Sequence, residues 1–220
     1  MGIYNPGIPE DDAKFFKKLY RLSIFVEGGT YMGYTARKMA DLFEKVFTIE
    51  KSDKIYLFAR ENLQNVKNVI LIKGDTREHF YEILQQNDNI LFWLDAHWSG
   101  GDTYGVDDEC PLIDELRVIF NFPKNYVIFI DDARLFLAPP PYPHKYSQWP
   151  SIKDIINIVP KNFDIIIYKD VIYVYRINPE YDYAIKEYFQ KKTTKDWKEY
   201  ERKQIYFKAK NFLTSLFKKK

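Results

Sequence analysis

Six acidic residues stand at or just beyond the ends of short apolar runs. They are Glu27, Glu50, Asp75, Asp95, Asp131 and Asp132. If these runs are parallel strands of one sheet, their carboxyl ends share an edge, and the six carboxylates collect there. Burying that many charges without partners would be prohibitive, so we expect a cationic or hydrogen-bonding ligand among them. The cluster indicates a binding site at that edge.

The turn after the first apolar run reads Glu27-Gly-Gly-Thr-Tyr-Met-Gly-Tyr-Thr35, with the acid ahead of the glycines. Glycine lets the backbone approach a ligand and turn sharply into a helix, whose N-terminal amides then face the site. A carboxylate in this place suits an amino-acid ammonium better than a pyrophosphate, which points to S-adenosylmethionine. Alternatively, the glycines serve packing alone.

Glu50 and Asp75 follow the second and third apolar runs. Glu50 can accept hydrogen bonds from both ribose hydroxyls of a nucleoside, and Asp75 can accept one from an adenine amino group. Both have structural alternatives, because Glu50 could pair with a lysine and Asp75 could cap the next helix. The predicted cofactor contacts are Glu27, Gly28, Gly29, Thr30, Tyr31, Gly33, Thr35, Glu50, Lys51, Asp75, Thr76 and Asp95.

Asp95, Asp131 and Asp132 lie at the tips of two neighbouring predicted strands. Carboxylates grouped in this way suit a hard cation such as Mg²⁺, which keeps open positions for a substrate's hydroxyls. Such a metal lowers the pKa of a bound hydroxyl and holds it in place. The alternative is an Asp-Asp pair that caps a turn and forms a salt bridge with Arg134. We predict a metal site at the three aspartates.

His97 is the one histidine of three that falls on the predicted edge, where a general base would stand. It could equally contact the cofactor or a metal-bound water, or be a structural residue. Arg134 could hold an anionic part of the acceptor. The predicted catalytic residues are therefore His97, Asp95 and Arg134.

Two loops near this edge are predicted to carry acceptor specificity. The proline-rich stretch 137–150 offers the flat faces of Tyr142, Tyr146 and Trp149 to a sugar or an aromatic acceptor, unless it is only a rigid connection. The loop Ser99–Gly105 would form the opposing, mobile wall.

Apolar runs alternate with segments of helical spacing, which predicts βαβ units and a parallel sheet. The predicted strands are Ile24–Glu27, Val46–Glu50, Val69–Lys73, Ile90–Asp95 and Tyr126–Asp131. The predicted helices are Asp11–Leu22, Thr35–Phe43, Asp53–Leu63, Thr76–Gln86, Glu109–Phe120 and Ile152–Val159. Two last strands, Asp164–Tyr168 and Val171–Arg176, are two residues apart and must form an antiparallel hairpin. We predict an α/β, Rossmann-like doubly wound sheet of five parallel strands plus this hairpin.

Composition places the chain among globular proteins, since 46% of its 220 residues are hydrophobic and 29% are charged. The single cysteine, Cys110, excludes an intramolecular disulfide and fits a reducing compartment, so we expect a cytoplasmic protein. Residues 1–176 are predicted to form the domain, with a net charge of −4 from 21 basic and 25 acidic residues. Residues 177–220 read as a helical extension with 12 basic and 6 acidic residues, a net charge of +6.

The basic extension admits several partners. A packed or homo-oligomeric helix with a solvated basic face is the first expectation. The others are a peripheral contact with an anionic membrane or with a polyanionic glycan. No nucleic-acid partner is expected, because the domain is acidic and carries no nucleic-acid motif.

These motifs together resemble the cation-dependent O-methyltransferases, among them the catechol and macrolide-sugar enzymes, over about residues 20–176. The marks are Glu27–Thr35, Phe47-Thr-Ile-Glu50, Gly74-Asp75, Leu94-Asp-Ala-His-Trp98 and Ile130-Asp-Asp132. The resemblance implies the class I methyltransferase fold, S-adenosylmethionine at Glu27–Gly33, Glu50 and Asp75, and Mg²⁺ at the three aspartates. The catechol enzymes place a lysine base shortly after the Asp-His-Trp run, where this chain has Ser99 and Gly100. The strings around Asp95 and Asp131 are also similar to methyltransferase-like proteins of bacterial surface-glycan gene clusters, which implies a sugar or glycan acceptor.

We therefore expect a Mg²⁺-assisted methyltransferase that uses S-adenosylmethionine and acts on a hydroxyl of a sugar or glycan precursor. One alternative is a metal-independent methyltransferase of the same fold with His97 as base. The other is a binding or scaffold protein that keeps the fold without catalysis.

Overall fold

The computed structural model describes residues 7–100, 103, 105 and 107–217, with side chains described up to Lys208 and at Lys210. Along these residues the elements follow in the order α1 (Glu10–Tyr20), β1 (Ile24–Gly28), α2 (Tyr34–Ala40), β2 (Lys45–Glu50), α3 (Asp53–Leu63), β3 (Val69–Lys73), α4 (Thr76–Gln86), β4 (Ile90–Leu94), α5 (Leu112–Phe120), β5 (Tyr126–Ile130), α6 (Arg134–Leu137), a 3₁₀ turn (Tyr146–Gln148), α7 (Ile152–Ile158), β6 (Phe163–Tyr168), β7 (Val171–Arg176) and α8 (Pro179–Phe217).

The seven strands form one sheet in the order β3-β2-β1-β4-β5-β7-β6. The first five are parallel, and β7 pairs antiparallel with both β5 and β6. The predicted doubly wound sheet with its terminal hairpin is confirmed. The strand order reverses between β1 and β4, and a ligand is expected beyond the carboxyl ends of the strands at such a point.

Strands β4 and β5 run through the centre of the sheet, and every residue in them is buried. Helices cover both faces, which is why these strands read as unbroken apolar runs. On one face, α4, α5 and α7 pack over a core that includes Phe80, Phe92 and Leu116. On the other face, α1 lays Phe16 against Phe129 and Tyr173, at 5.3 and 6.0 Å between ring centres.

Most predicted boundaries hold within three residues, and the differences have local causes. Helix α1 ends at Tyr20 because Arg21 adopts a left-handed backbone with φ of 55°. Helix α5 begins at Leu112 because Pro111 occupies its N-terminal cap, which leaves Glu109 in the preceding loop. Strands β4 and β5 stop one residue early, so Asp95 and Asp131 stand just past them.

The chain divides into two compact units, residues 1–176 and residues 177–220. The second unit is built on the single helix α8. Along α8, large apolar side chains such as Trp197 (63% exposed) and Tyr206 (64% exposed) lie in solvent. None of the described helices combines the length and the apolar character needed to cross a membrane.

Phe16 tests whether α1 is an integral part of the sheet packing. Its side chain is fully buried, so Phe16→Ala should lower the free energy of unfolding by about 3–5 kcal/mol, as expected for a buried aromatic side chain. Urea unfolding followed by circular dichroism measures the change. The control, Phe58→Ala, removes a ring that is 45% exposed and should cost much less. Equal losses in the two variants would show that α1 is not packed as described.

Candidate active site

A cavity of about 420 Å³ opens at the point where the strand order reverses. Its walls come from the turn after β1, the ends of β2 and β3, the N-terminal parts of α3 and α4, and the loop after β4. Eight residues predicted to bind the cofactor or to act in catalysis line it: Gly29, Tyr31, Glu50, Lys51, Asp75, Thr76, Asp95 and His97.

Gly29 brings two turns into contact at the floor of this cavity. Its φ is +87°, and a Cβ atom there would lie 2.3 Å from the carbonyl oxygen of Asp95. Only glycine tolerates both the backbone angle and this approach. Gly33, in the same turn, has a φ of +79° and would press a Cβ against Leu63. Both glycines therefore have a packing role as well as shaping the cavity.

Glu27 lies beneath the cavity and does not line it. Its Oε2 accepts a hydrogen bond of 2.6 Å from the Thr48 hydroxyl, which lies 2.6 Å from the Thr30 hydroxyl. Burial raises the pKa of Glu27 to about 8, so the carboxyl is largely protonated at neutral pH. Four other predicted contacts also lie off the cavity lining: Gly28, Thr30, Gly33 and Thr35. The structure thus places Glu27 off the cavity lining, hydrogen-bonded to the Thr48 side chain.

Glu50 is held for hydrogen bonding by two backbone amides. The amide of Tyr31 donates to Oε2 at 3.0 Å, and that of Ser52 donates to Oε1 at 2.8 Å. Burial raises the pKa of Glu50, while these backbone hydrogen bonds oppose the rise. A carboxylate accepts more than two hydrogen bonds, and Glu50 lines the cavity. Its position therefore fits the predicted contact with two vicinal ribose hydroxyls.

Asp75 both lines the cavity and caps α4. Its Oδ1 accepts from the backbone amide of Arg77 at 3.0 Å, and its Oδ2 accepts from Lys51 Nζ and from Arg77 Nη2, both at 2.6 Å. Burial would raise the pKa of Asp75, but the hydrogen bonds from Arg77 and Lys51 hold it well below its ordinary value. The capping alternative is therefore realised. Lys51 contributes to the cavity as a partner of Asp75.

The acids after β4 and β5 surround one imidazole ring. His97 Nε2 lies 3.3 Å from Asp95 Oδ1 and 3.2 Å from Asp132 Oδ2. Burial and the charges of Asp131 and Asp132 raise the pKa of Asp95 well above its ordinary value. Burial and the charge of Asp132 raise the pKa of Asp131 to about 7. The pKa of Asp132 is held low against burial by His97 and by Arg134.

The three aspartates are chemically suited to Mg²⁺, but their arrangement does not fit a metal ion. Asp132 directs one oxygen at His97 and the other at Arg134 Nη1, 2.8 Å away. Asp131 Oδ1 accepts a hydrogen bond from the amide of Asp132. In the described part of the chain, no three His, Cys, Asp or Glu side chains are grouped so that they could hold a metal. The observed arrangement is closer to the alternative of an Asp-Asp pair joined to Arg134.

His97 and Arg134 are placed differently from the catalytic roles predicted for them. Both ring nitrogens of His97 are buried, and its ring packs 5.2 Å from the Trp149 ring. Nε2 lies within 3.3 Å of two carboxylates, yet neither ring nitrogen has a hydrogen-bond partner among the described residues. Arg134 lies behind Asp132, paired with Asp132 and Asp170, and is not part of the cavity lining.

Glu109 is a buried residue for which the sequence predicted no functional role, and its hydrogen bonds fix the proline-rich segment 137–150 in place. Glu109 accepts hydrogen bonds from Trp149 Nε1 at 2.7 Å and from the amide of Lys145 at 3.0 Å. Trp149 is therefore a buried structural residue, whereas Tyr142 is 98% exposed and Tyr146 is 73% exposed. Of the predicted mobile wall, residues 101, 102 and 104 lie outside the described residues, while Ser99, Gly100 and Thr103 line the cavity.

Sequence reasoning missed one wall of the cavity. Ile55 and Phe58 of α3 line it together with Met32 and Arg77. The spacing of Ile55 and Phe58 places both on one face of a helix, but it does not show that the face ends at a cavity. Arg77 had a clearer signal, because it stands two residues after Asp75 at the start of a predicted helix.

The pKa of Glu27 predicts a pH-dependent stability. A carboxyl whose folded pKa is raised from 4.5 to about 8 stabilises the fold fully at pH below 4.5, and this contribution is lost as the pH rises through 8. Glu27→Gln mimics the protonated form at every pH. Between about pH 5.5 and about pH 8.5, wild type should lose about 2–3 kcal/mol of unfolding free energy relative to Glu27→Gln.

Urea unfolding at the two pH values measures this difference. Glu61→Gln, on the exposed side of α3, is the matched control and should show no pH-dependent difference from wild type. A constant gap between wild type and Glu27→Gln would mean that Glu27 is ionised throughout.

Comparison with known proteins gives a structural match without a sequence match. No family model matches the chain, and no curated protein matches its sequence. Many solved structures match its fold. An O-methyltransferase from Bacillus cereus, solved with S-adenosylhomocysteine, is 14% identical with a TM-score of 0.55; the match covers 78% of this chain and 82% of that one.

Two further structures agree with it. A candidate O-methyltransferase from Klebsiella pneumoniae is 17% identical with a TM-score of 0.53, covering 80% of this chain and 83% of that one. The O-methyltransferase TomG from Streptomyces achromogenes, solved with S-adenosylmethionine, is 11% identical with a TM-score of 0.50, covering 76% and 79%. At these identities the likeness extends to the fold, and the chain has the α/β fold of the class I methyltransferases.

Proposed function

We propose that this protein is a methyltransferase that uses S-adenosylmethionine and acts on a hydroxyl group. One observation carries the proposal. A single cavity, at the point where the strand order reverses, brings together the close backbone turn at Gly29, the amide-held carboxylate of Glu50, the helix-capping Asp75 and the carboxylate of Asp95. The fold supports it, because its structural neighbours include methyltransferases solved with this cofactor or its product.

Four residues of the cavity have a task under this proposal. Glu50 would accept the ribose hydroxyls, and Ile55 and Phe58 would offer an apolar wall to the adenine. S-adenosylmethionine supplies a methyl group made electrophilic by its sulfonium. With the cofactor bound there, the acceptor oxygen would bond to the methyl carbon as the carbon–sulfur bond breaks, and the electron pair would stay on sulfur. The hydroxyl proton passes to Asp95, the carboxylate of the His97 cluster that lines the cavity.

We propose that the reaction is metal-independent. The engagement of Asp132 by His97 and Arg134 supports this alternative over the Mg²⁺-assisted one. Catalysis would then rest on placing the hydroxyl near the methyl group and on removal of its proton by a side chain.

The acceptor we propose is a sugar or glycan precursor. The support is the resemblance of the Trp93–Gly101 and Ile130–Arg134 strings to methyltransferase-like proteins of surface-glycan gene clusters. Tyr142 and Tyr146, exposed on the segment between α6 and α7, offer flat faces of the kind on which a sugar ring packs.

Binding of S-adenosylhomocysteine tests the cofactor. Calorimetric titration of the full chain should give a micromolar dissociation constant, and Glu50→Ala should weaken it by at least about a hundredfold, since two hydrogen bonds to a charged acceptor are lost. Glu61→Ala is the matched control, because Glu61 is an exposed residue of α3 outside the cavity lining. It should bind like wild type.

If folded wild-type protein shows no binding, the methyltransferase proposal fails and the scaffold alternative takes its place. Equal binding by wild type and Glu50→Ala would place the ligand away from this cavity.

Binding of Mn²⁺, which shares the preference of Mg²⁺ for carboxylate oxygens, tests the metal. In the presence of S-adenosylhomocysteine, paramagnetic resonance should reveal no Mn²⁺ site that depends on Asp132. One Mn²⁺ per chain, lost in Asp132→Asn but kept in the control Asp41→Asn, would restore the Mg²⁺-assisted reaction.

A further inference from the structure

Two acids lie just past the end of the antiparallel pair of β5 and β7. The pairing of β5 with β7 ends at Ile130 and Ile172, and just past it Asp132 and Asp170 both lie against the Arg134 side chain. Both are buried, at 0% and 1% exposed. Two buried carboxylates that lie close together repel each other, and burial strengthens the repulsion. This pair requires a cation between its members.

Arg134 supplies that cation. Its Nη1 lies 2.8 Å from Asp132 Oδ1 and also contacts Asp170 Oδ2. Asp170 holds the arginine by its backbone as well, since the amide of Arg134 donates to Asp170 Oδ1 at 3.0 Å. The amide of Ala133 donates to the carbonyl oxygen of Asp170 at 2.9 Å. Asp170 of the hairpin turn therefore makes three polar contacts with Ala133 and Arg134, where α6 begins.

The second carboxylate oxygen of Asp132, Oδ2, contacts His97, a residue that lines the cavity. It lies 3.2 Å from His97 Nε2, which in turn lies 3.3 Å from Asp95 Oδ1. A series of contacts thus runs from Asp170 through Arg134, Asp132 and His97 to Asp95, and the last two line the cavity. Asp132 holds a φ of +54°, an uncommon angle outside glycine that is maintained by these surroundings.

We propose that Asp170 and Arg134 are positioning residues of the active site: from the far hairpin they fix Asp132 against His97, and thereby the side chains of His97 and Asp95 in the cavity. The role in catalysis rests on the proposed function. The geometric role does not, because it concerns contacts within the chain. Neither Asp170 nor Arg134 lines the cavity, so they act on it only through Asp132 and His97.

Nitrogen NMR of the histidine rings tests the link without an acceptor. In protein labelled with ¹⁵N-histidine, the ring signal of wild-type His97 is assigned by its absence in His97→Gln. Asp170→Asn should shift that signal and leave His79, in α4, unmoved as an internal reference. Arg134→Lys, which keeps the charge but loses the guanidinium fork, should shift it less. The control Asp41→Asn should shift neither ring.

Two further measurements separate positioning from general damage. Asp170→Asn should bind S-adenosylhomocysteine within about twofold of wild type, because the cavity lining is intact. Arg134→Met leaves two buried carboxylates close together and should lower the melting temperature sharply. Adding Asp170→Asn to it removes the repulsion and should restore part of the loss.

An unchanged His97 signal in both Asp170→Asn and Arg134→Lys would overturn the proposal, as would additive losses in the double variant. If Arg134→Met does not fold, the other two variants still decide. Wild type that fails to bind S-adenosylhomocysteine would sink the proposed function, while the His97 signal would still report on the positioning contacts.

Discussion

The architecture of this protein depends on how buried carboxylates at one edge of the sheet are neutralised. Parallel strands deliver the residues at and just past their C-terminal ends to the same edge, and here these include the acids Glu27, Glu50, Asp75, Asp95, Asp131 and Asp132. The structure uses three solutions. Glu27 is buried deeply enough to hold its proton, Asp75 takes two cations, and Asp132 stands between an imidazole and a guanidinium. Asp95 differs because its side chain is partly exposed and its pKa is raised by burial and by other acids, which is consistent with the role of proton acceptor proposed for it.

The two halves of the cavity carry different kinds of constraint. On the side of β2 and β3, the amides of Ser52 and Arg77 reach Glu50 and Asp75 from two residues away, and the amide of Tyr31 reaches Glu50 from the turn after β1. On the side of β4 and β5, the positions of Asp95 and His97 depend on Asp132, whose other partner is Arg134. The side proposed to bind a nucleoside thus relies mainly on backbone amides, whereas the side proposed to react relies on side chains from elements that are distant in sequence. This difference supports assigning cofactor binding to the first side and proton transfer to the second.

The strands of the sheet could be predicted from the sequence because each is short, apolar and bounded by turn or helix signals. All seven predicted strands are present within one residue of their predicted bounds. The two-residue link Lys169-Asp170 correctly required an antiparallel pair. The site was harder to predict because side-chain partners are set by tertiary packing. The sequence placed Asp132 beside Asp131 and suggested a metal, but only the packing shows that His97 and Arg134 occupy its two oxygens. In the same way, Glu109 was assigned to a helix, and its role as acceptor for Trp149 depends on a chain segment about forty residues away.

The hairpin that closes the sheet also explains why Arg134 is not free to bind a substrate. In a sheet of parallel strands alone, the residue beside Asp132 would come from the end of another parallel strand and would face the same edge. Because β7 runs antiparallel to β5, the segment next to Asp132 is instead the turn that precedes β7, and it brings Asp170. Arg134 forms ion pairs with both of these acids, so its charge is neutralised within the fold. The antiparallel closure of the sheet thus places Asp170 beside Arg134, and Arg134 in turn balances the charge of Asp132. Because Asp132 also contacts His97, which lines the cavity, this part of the sheet topology affects the site.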